Sequence, residues 1–356
     1  MSMGKKTVVV LFGGVSSEHE VSLVSAGSVI NNIPKDKYEV MPVGITREGN
    51  WYYYFGDLGN LADSSWEQDK NNLIPCFISV FQSQGALGLI KQRQLGYVGI
   101  DCVFPVLHGK NGEDGTVQGM LQLADIPCVG CGMTSSAVCM DKAITNALAD
   151  SAGIAQAKWL SVMKYDYDQN PDSFAEQCGR RLGYPCFVKP ANAGSSVGIS
   201  KVKSMAELAA ACELAFKHDQ KIIAEQAIDG MEVETAIFGN DQPTAAAVGE
   251  IVPCNEFYDY DAKYIAGTSQ LHIPARLERD KQEEIQRLAL RAYKTFGCRG
   301  IARIDFFVQK SDGMVLFNEL NTIPGFTSIS MYPKLFEAIG VPYPDLLDKL
   351  IEFALE

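Results

Sequence analysis

The segment GIARIDFFVQKSDGMVLFNELNTIPGF contains two apolar runs of strand length around a polar turn, KSDG. This pattern predicts a β-hairpin. Side chains alternate between the two faces of a strand, so Arg303 and Asp305 share one face of the first strand. Glu319 and Asn321 share one face of the second strand for the same reason. A register centred on Asp312 places Asp305 opposite Glu319. The same register places Arg303 opposite Asn321.

Two carboxylates that face each other across neighbouring strands, ~5 Å apart at Cβ, repel and destabilise the pairing. A divalent cation between them would reverse the sign of that interaction. Oxygen ligands select a hard ion, and Mg²⁺ is usually bound by a few carboxylates together with substrate phosphates. The alternative is a solvated polar face on which Arg303 neutralises the acids. Because the other residues of these strands are mostly apolar, we favour a metal site formed by Asp305, Glu319 and Asn321.

The segment YPCFVKPANAGSSVGISKV carries Lys189 at the end of an apolar run, directly before a loop rich in glycine and serine. The apolar spacing on both sides of the loop predicts strand, loop, strand. A P-loop would instead lead into a helix whose first turn holds the phosphates. We therefore expect a lid that closes over a ligand, with its partners elsewhere in the chain.

Composition limits the classes of protein to consider. The 356 residues are enough for two or three domains. The net charge of −12, without any basic block, argues against nucleic acid and anionic membrane as partners. The apolar runs are far shorter than the ~18 residues that span a bilayer, and the N-terminal one is too short for a signal peptide. We expect a cytoplasmic protein whose ten cysteines are reduced and buried, with no zinc at Cys128 and Cys131.

The order of apolar patterns suggests three units with boundaries near residues 131 and 229. The first unit alternates strands and helices, which predicts a doubly wound parallel sheet with ligands at the carboxyl ends of its strands. YVGIDCVFPVLHG reads as one long strand of this sheet, and SSAVCMDKAITNALADSAG reads as one helix that follows it. The second unit reads β-α-β-β-α-β. Longer strands, a helix at 278–295 and the hairpin make up the third.

Six motifs carry a resemblance to a known family. The acidic hairpin, the lysine before the glycine-rich loop and HGKNGEDG resemble the ATP-grasp ligases. EHEVSL, FYDYDAKY and NTIPGFTS are similar to D-alanine–D-alanine ligases within that superfamily. Each motif alone is moderately specific, whereas all six in family order between Val8 and Leu350 are very specific.

The resemblance implies an α/β (α+β) fold with an N-terminal doubly wound parallel-sheet domain, residues 1–131, that binds substrate. A two-lobed ATP-grasp fold would follow, with a central lobe at 132–229 and a C-terminal lobe at 230–356 that carries the metal site. The family joins two D-alanines through an acyl phosphate, for peptidoglycan precursors. ATP would be the co-substrate and would bind with two Mg²⁺ ions, or with Mn²⁺ in their place. The enzyme would be a cytoplasmic homodimer. Its partners would be small molecules, with neither nucleic acid nor membrane. Catalysis would then rest on positioning and charge stabilisation.

The resemblance also implies the residues that bind ATP. Lys142 and Lys189 would hold the phosphates. The alternative is that both are surface lysines, which the apolar or small residues before Lys189 disfavour for that residue. The segment EQAIDGME would form the adenine hinge, in which Glu225, the backbone of Gln226 and Ile228, and Glu232 contact the adenine edge and the ribose.

For the amino-acid substrates, the resemblance assigns Glu18 to the ammonium of the first D-alanine and His108, supported by Glu113, to its carboxylate. The alternative for Glu18 is an acid that only complements a helix N-terminus. Arg303 and the N–H of Gly325 would form the oxyanion hole, since a residue without Cβ allows close approach of the backbone. The remaining assignments are Lys263 and Ser330 for the second carboxylate, and Ser195 and Tyr264 on two lids that exclude water.

Substrate choice within the family rests on a few positions. D-lactate ligases carry a lid histidine where this chain has Tyr264, and some D-serine ligases carry arginine where it has Met331. Ile329 stands where the family often has histidine, and we assign it no role. We therefore expect D-alanine as second substrate, with a D-alanine–D-serine or D-alanine–D-lactate ligase as the alternative.

Two other classes of protein are disfavoured. A nucleotide-binding regulator without turnover would be expected to lack an acid of the hairpin or a phosphate lysine, and this chain keeps all of them. A metal-free periplasmic-type binding protein would need a signal peptide.

Overall fold

The computed structural model describes residues 4–80, 85–194, 197–252, 270–327 and 330–356. Within them lie sixteen strands in three sheets, ten α-helices and three short 3₁₀ helices. None of the helices in these ranges has the length and apolar character needed to cross a bilayer. The nine cysteines in the same ranges form no disulfide, and all but Cys128 are buried, as the sequence predicts.

The first sheet contains seven strands in the order β6-β5-β4-β3-β2-β1-β7. β1 pairs in parallel with β2 and β7, and the other neighbours are antiparallel. Alternate residues of β1 pack against α1 on one face and α2 on the other, so helices cover both faces of the parallel part. The bounds are β1 Lys6–Gly13, α1 His19–Asn32, β2 Tyr38–Ile45, β3 Trp51–Tyr54, β4 Leu73–Ile78, β5 Ala86–Lys91, β6 Gln94–Gly99, β7 Cys102–Pro105 and α2 Thr116–Leu123.

The run YVGIDCVFPVLHG, predicted as one strand, forms the two strands β6 and β7. The break lies at Ile100 and Asp101. The N–H of Ile100 still donates to Gly85 O, whereas the N–H of Asp101 donates to Thr7 O. The Asp101 carboxylate also accepts from the N–H of Thr7 at 2.8 Å. These bonds move the chain from the outer hairpin to the opposite side of β1.

Two helices, α3 Met133–Met140 and α4 Lys142–Ser151, stand where the sequence predicted one. Asp141 has an extended backbone (φ −88, ψ 99), and its carboxylate accepts from the N–H groups of Ala143 and Ile144. Aspartate favours such capping over a helix interior because its side chain competes for backbone N–H groups. The prediction of a continuous helix is wrong for that reason.

The second sheet has the order β10-β9-β11-β8 and is antiparallel throughout. β9 and β10 flank the glycine-rich loop, which confirms the strand, loop, strand prediction. The elements are β8 Trp159–Met163, α5 Lys164–Gln169, α6 Pro171–Arg181, β9 Cys186–Pro190, β10 Ser200–Val202, α7 Met205–Phe216 and β11 Lys221–Gln226.

The third sheet has the order β14-β13-β12-β15-β16, all antiparallel. Its elements are β12 Gly230–Gly239, β13 Thr244–Val252, β14 Gln270–His272, α8 Arg279–Thr295, β15 Gly300–Gln309, β16 Val315–Asn321, α9 Met331–Glu337 and α10 Tyr343–Leu355.

One apolar core joins the first and third sheets. Phe104 of β7 meets Phe326 with ring centroids 5.8 Å apart, and buried leucines of α10 continue this core. The second sheet has a core of its own, which includes Phe174. The first and third sheets are therefore parts of one packed body.

Candidate active site

The hairpin of β15 and β16 has the predicted register at its acidic residues. Asp305 pairs with Glu319, and Arg303 pairs with Asn321. In the part of the hairpin closer to the turn, the register is shifted by one residue because of a bulge at Asn318, so that Val308 pairs with Val315. Bulges re-aim side chains and are frequent beside active sites. Here the bulge gives the acids the pairing that a turn centred on Asp312 predicted.

Arg303 forms a buried cluster with acids on both sides. Its Nε and Nη2 donate to the two carboxylate oxygens of Asp305, each at 2.8 Å, and Nε lies 3.0 Å from Glu234 Oε2. Burial opposes the charge of the guanidinium, but the charges of Asp305 and Glu234 outweigh it and raise the pKa of Arg303 well above its usual value. Asp305 is only 5% exposed, so this face is not the solvated surface of the alternative interpretation.

Glu234 on β12 is the buried acid that the sequence reasoning missed. It pairs with Asp305 across β12 and β15, so Glu234, Asp305 and Glu319 form a row across three strands. It lies two residues after Glu232, hence on the same face of the strand. Glutamate at this spacing within an apolar strand was the available signal.

The donor set of the hairpin suits a hard cation. Two carboxylates and one amide oxygen lie on one face, as Mg²⁺ requires when substrate phosphates complete its shell. Asn321 Nδ2 donates to Asp305 Oδ2 at 3.1 Å, which ties two of the three candidates together. Within the described ranges no group of three or more His, Cys, Asp and Glu side chains is arranged for a metal ion. A cation here would therefore depend on the amide and on substrate oxygens as well as on the two acids.

The two candidate phosphate lysines reach the same cleft from different elements. Lys189, on β9, is buried, and its Nζ lies 2.6 Å from Glu225 Oε2. Lys142 begins α4, and its Nζ donates to Ala193 O at 2.7 Å. Burial lowers the pKa of Lys142, against the charge of Glu319. Neither lysine is the solvated surface residue of the alternative interpretation.

The segment predicted to hold adenine joins β11 to β12. Gln226, Ile228 and Glu232 all line the cleft. The N–H of Gln226 already donates to Lys158 O at 2.9 Å, so this group would be unavailable to a base. Glu225 accepts from Asn146 Nδ2 at 3.0 Å as well as from Lys189.

Glu18 precedes α1 and is buried, yet its side chain makes no capping hydrogen bond to the helix. The interpretation of Glu18 as a helix-terminal acid alone is therefore insufficient. A Cβ atom built on Gly109 would lie 2.5 Å from Glu18 Oε2, and one on Gly194 would lie 2.9 Å from it. The carboxylate thus lies between the loop after β7 and the glycine-rich loop after β9.

His108 and Glu113 lie beside Glu18. His108 Nδ1 is 3.2 Å from the carbonyl oxygen of Ile323, so Nδ1 carries the proton, and Nε2 lies 3.3 Å from Ser25 Oγ. Burial lowers the pKa of His108, and the charge of Glu18 opposes this effect. Glu113 accepts from the N–H of Gly109 at 2.7 Å. Burial and the charge of Glu18 raise the pKa of Glu113 to about 8.

Gly325, Ser330 and Met331 also line the cleft. A Cβ atom on Gly325 would lie 3.0 Å from Ser330 Oγ, which itself accepts from the N–H of Thr327 at 3.1 Å. Met331 is buried, and its sulfur would lie 2.9 Å from a Cβ atom on Gly249. This part of the cleft therefore combines one hydroxyl with an apolar wall.

A single cavity of about 1350 Å³ is lined by fifteen of the predicted residues. They are Glu18, His108, Glu113, Lys142, Lys189, Glu225, Gln226, Ile228, Glu232, Arg303, Glu319, Asn321, Gly325, Ser330 and Met331. Asp305 does not line it, because it lies behind the Arg303 guanidinium that it binds. Ser195, Lys263 and Tyr264, to which roles were predicted, lie outside the described residues, as does Ile329, to which no role is assigned.

Comparison with known proteins extends over the whole chain. The family models described as D-ala D-ala ligase N-terminus and C-terminus match residues 7–131 and 148–352. A D-alanine–D-alanine ligase of Caldicellulosiruptor bescii is 54% identical over 99% of this chain and 96% of that protein. One from Thermoanaerobacter sp. strain X514 is 49% identical over 99% and 98%.

Two solved structures are also similar. The VanG D-Ala:D-Ser ligase of Enterococcus faecalis has a TM-score of 0.90 at 43% identity and covers 99% of this chain and 100% of its own. The D-alanine–D-alanine ligase of Coxiella burnetii has a TM-score of 0.87 at 35% identity, with 99% and 94% covered.

Proposed function

Because this chain belongs to the D-alanine–D-alanine ligase family, we infer that it uses ATP to join two D-alanines into D-alanyl-D-alanine. The observation that carries this inference is the single cleft in which phosphate lysines, an acidic hairpin and the Glu18–His108 pair meet. Residues 1–131, 132–229 and 230–356 would act as three units, a division supported by the three sheets that lie within those ranges.

The first step would transfer the γ-phosphoryl group of ATP to a carboxylate oxygen of the first D-alanine, with ADP as leaving group. Lys142 and Lys189 approach the cleft from α4 and β9, and as compact cations they suit phosphate oxygens. Ile228 and Glu232 would hold the adenosine, with Gln226 lining the cleft beside them. Asp305, Glu319 and Asn321 would hold a divalent cation, Mg²⁺ or Mn²⁺, which would neutralise charge on the triphosphate. This cation would be one of two.

Glu18 would hold the ammonium of the first D-alanine, because it is the carboxylate buried between the two glycine loops. His108 would lie beside the carboxylate of this substrate. Glu113 would support His108 without adding charge, since its raised pKa favours the protonated form below about 8.

In the second step, the neutral amine of the second D-alanine would attack the acyl phosphate carbon. Negative charge develops on the former carbonyl oxygen and returns to the carbonyl as the carbon–oxygen bond to phosphate breaks. The leaving phosphate would take up the proton that the amine releases. Arg303 and the N–H of Gly325 would stabilise that charge. Ser330, with Lys263, would hold the carboxylate of the second substrate. Ser195 and Tyr264 would complete the two lids, because an acyl phosphate must be kept from water.

We place the product in peptidoglycan precursor synthesis and the enzyme in the cytoplasm, where ATP is available. We also propose a homodimer, as the family resemblance implies. Light scattering at assay concentration tests this state, and a monomer mass would contradict it.

D-Serine as second substrate is the alternative, and the similarity to a D-Ala:D-Ser ligase favours testing it. Met331 is buried and apolar, so it would pack against a methyl group and offer no donor to a hydroxyl. An apolar pocket rejects an added hydroxyl by only about 100-fold, so slow use of D-serine is compatible with D-alanine as the main substrate.

The test is a competition between D-alanine, D-serine and D-lactate at equal concentrations and pH 7, with ATP and Mg²⁺. Tyr264 is neutral at this pH and would not repel an ammonium group, so we expect D-alanyl-D-alanine as the main product. A majority of depsipeptide or of D-alanyl-D-serine would contradict the roles of Tyr264 and Met331. No phosphate release with any of the three would contradict the ligase itself.

A further inference from the structure

Glu234 is a buried carboxylate in the cleft to which the reaction described above gives no role. It is 2% exposed, lines the cavity and lies 3.0 Å from Arg303 Nε through its Oε2. It stands directly opposite Asp305 across β12 and β15. Arg303 and Asp305 share a face of β15, so the guanidinium spans the space between the two acids.

The contacts of Arg303 conflict with a metal role for Asp305. Nε and Nη2 of Arg303 occupy both carboxylate oxygens of Asp305. A cation at Asp305 would draw the same oxygens away from the guanidinium. Arg303 would then lose two hydrogen bonds in a buried position, where an unpaired charge is strongly unfavourable. A second acid that keeps its bond throughout would remove this difficulty.

We propose that Glu234 is a positioning residue that holds the Arg303 guanidinium at the edge of the cleft while Asp305 binds the cation. This inference rests on the proposed function, since it assumes that Arg303 stabilises the reacting oxygen. Arg303 Nε lies between Asp305 Oδ1 and Glu234 Oε2, so it can pass from a shared bond to a bond with Glu234 alone.

Glu234 also contributes charge. With Glu234, Asp305 and Glu319 ionised, the row and Arg303 together carry a net charge of −2. Replacement of Glu234 by glutamine would leave −1. Arg303 would then depend on Asp305 alone and would compete more strongly with a cation for it.

The test compares Glu234→Gln with a matched control, Glu250→Gln. Glu250 is equally buried, lies on the same sheet, and forms an ion pair with Arg276 instead. Both variants remove a buried carboxylate beside an arginine, so both should lower the melting temperature. We expect only Glu234→Gln to lower kcat, by about 100-fold, with little change in the KM for ATP, because Arg303 is displaced and nucleotide contacts remain.

Cation binding gives a readout that does not depend on turnover. Mn²⁺ is titrated in the presence of ADP and followed by electron paramagnetic resonance. Loss of an outer partner of a ligand typically weakens metal binding 10-fold or more. We therefore expect about 10-fold weaker Mn²⁺ binding for Glu234→Gln and unchanged Mn²⁺ binding for Glu250→Gln. If Glu234→Gln keeps both kcat and Mn²⁺ affinity while it loses stability, Glu234 is structural and the proposal is wrong.

A second variant covers failure of Glu234→Gln to fold. Glu234→Asp keeps the charge but shortens the reach to Arg303 Nε. It should bind Mn²⁺ as the wild type does and show a lower kcat. An unchanged kcat in this variant would overturn the positioning role. If the wild type lacked ligase activity, the proposed function would be wrong. The Mn²⁺ titrations would still test the role of Glu234 at the cation site.

Discussion

At the scale of single residues, Asp305 and Glu319 form a pair that opposes folding and that a bound cation would stabilise. Two carboxylates directly across a hairpin weaken it, and Arg303 offsets only part of that repulsion. Pairs of this kind usually mark a site whose ligand reverses the electrostatic balance. Stability and activity should therefore respond in opposite directions when one charge is removed.

Glu319→Gln tests this expectation. Turnover should be nearly abolished at ordinary Mg²⁺, because one of two negative ligands is lost. Without ligand, the free energy of unfolding should stay equal or rise by about 0.2–1 kcal/mol, since like-charge repulsion is relieved. Phosphate release and urea denaturation measure the two effects. Near-normal turnover would show that Glu319 is not a metal ligand.

Glu113 predicts a pH dependence of stability. Its pKa is raised from 4.5 to about 8 in the folded chain, first by burial and then by the charge of Glu18. Between about pH 4.5 and 8, the folded state therefore keeps a proton on Glu113 that the unfolded state has already released. The contribution of this group to stability falls as pH rises through that window.

Glu113→Gln removes the proton-linked change. The decline of its melting temperature from about pH 5 to 8 should be shallower than that of the wild type. Thermal denaturation at several pH values measures both slopes. Parallel curves would mean that Glu113 titrates normally in the folded protein.

At the scale of elements, the break between α3 and α4 sets the position of Lys142. Asp141 caps α4 and accepts from Lys221 Nζ at 2.5 Å, so the first residue of α4 points its side chain toward the loop at Ala193. A continuous helix through Asp141 would change the direction of Lys142. The cap thus links a local backbone preference to the candidate phosphate site.

Asp141→Ala should lower the free energy of unfolding by about 1–2 kcal/mol, through loss of the cap, and should also raise the KM for ATP. Asp141→Asn is the matched control, because it keeps an oxygen for the cap and loses only the ion pair. Its effect on both quantities should be smaller. If Asp141→Ala loses stability but keeps the KM, the helix break does not position Lys142.

The elements also show how far the sequence alone could go. The hairpin register at Asp305 followed from period-2 spacing, yet the bulge at Asn318 could not be derived, because bulges depend on packing around both strands. The same limit applies to YVGIDCVFPVLHG, where only contacts with Thr7 and Gly85 divide an unbroken apolar run. Glu234 was missed because its partner Arg303 is remote in sequence. Local pattern identified strands and candidate ligands, whereas long-range pairing determined how they meet.

At the scale of the whole molecule, the first and third sheets share one apolar core and the second sheet has another. The cleft lies between these two bodies, with α1 and β15 on one side and β9 and β11 on the other. The loop that carries His108 and the acidic hairpin are thereby fixed relative to each other. The second sheet can move with a smaller loss of apolar contact.

Phe326→Ala and Phe174→Ala form a matched pair that tests the two cores. Each removes a buried ring, from the shared core and from the second core respectively, at a cost of about 3–5 kcal/mol. Phe326→Ala should increase hydrogen exchange in β1 and β15 together, while Phe174→Ala should increase it only within 159–226. Equal changes everywhere in both variants would indicate a single cooperative unit.

The shared core also bears on how long a bound inhibitor stays in the cleft. A compound that contacts only the first and third sheets would meet walls that do not separate, and its dissociation would depend on its own contacts. A compound that also contacts Phe187 or Lys189 on β9 would leave only when the second sheet moves away. Its residence time would then be set by the opening rate of the protein, so two inhibitors of equal affinity could differ widely in duration of action.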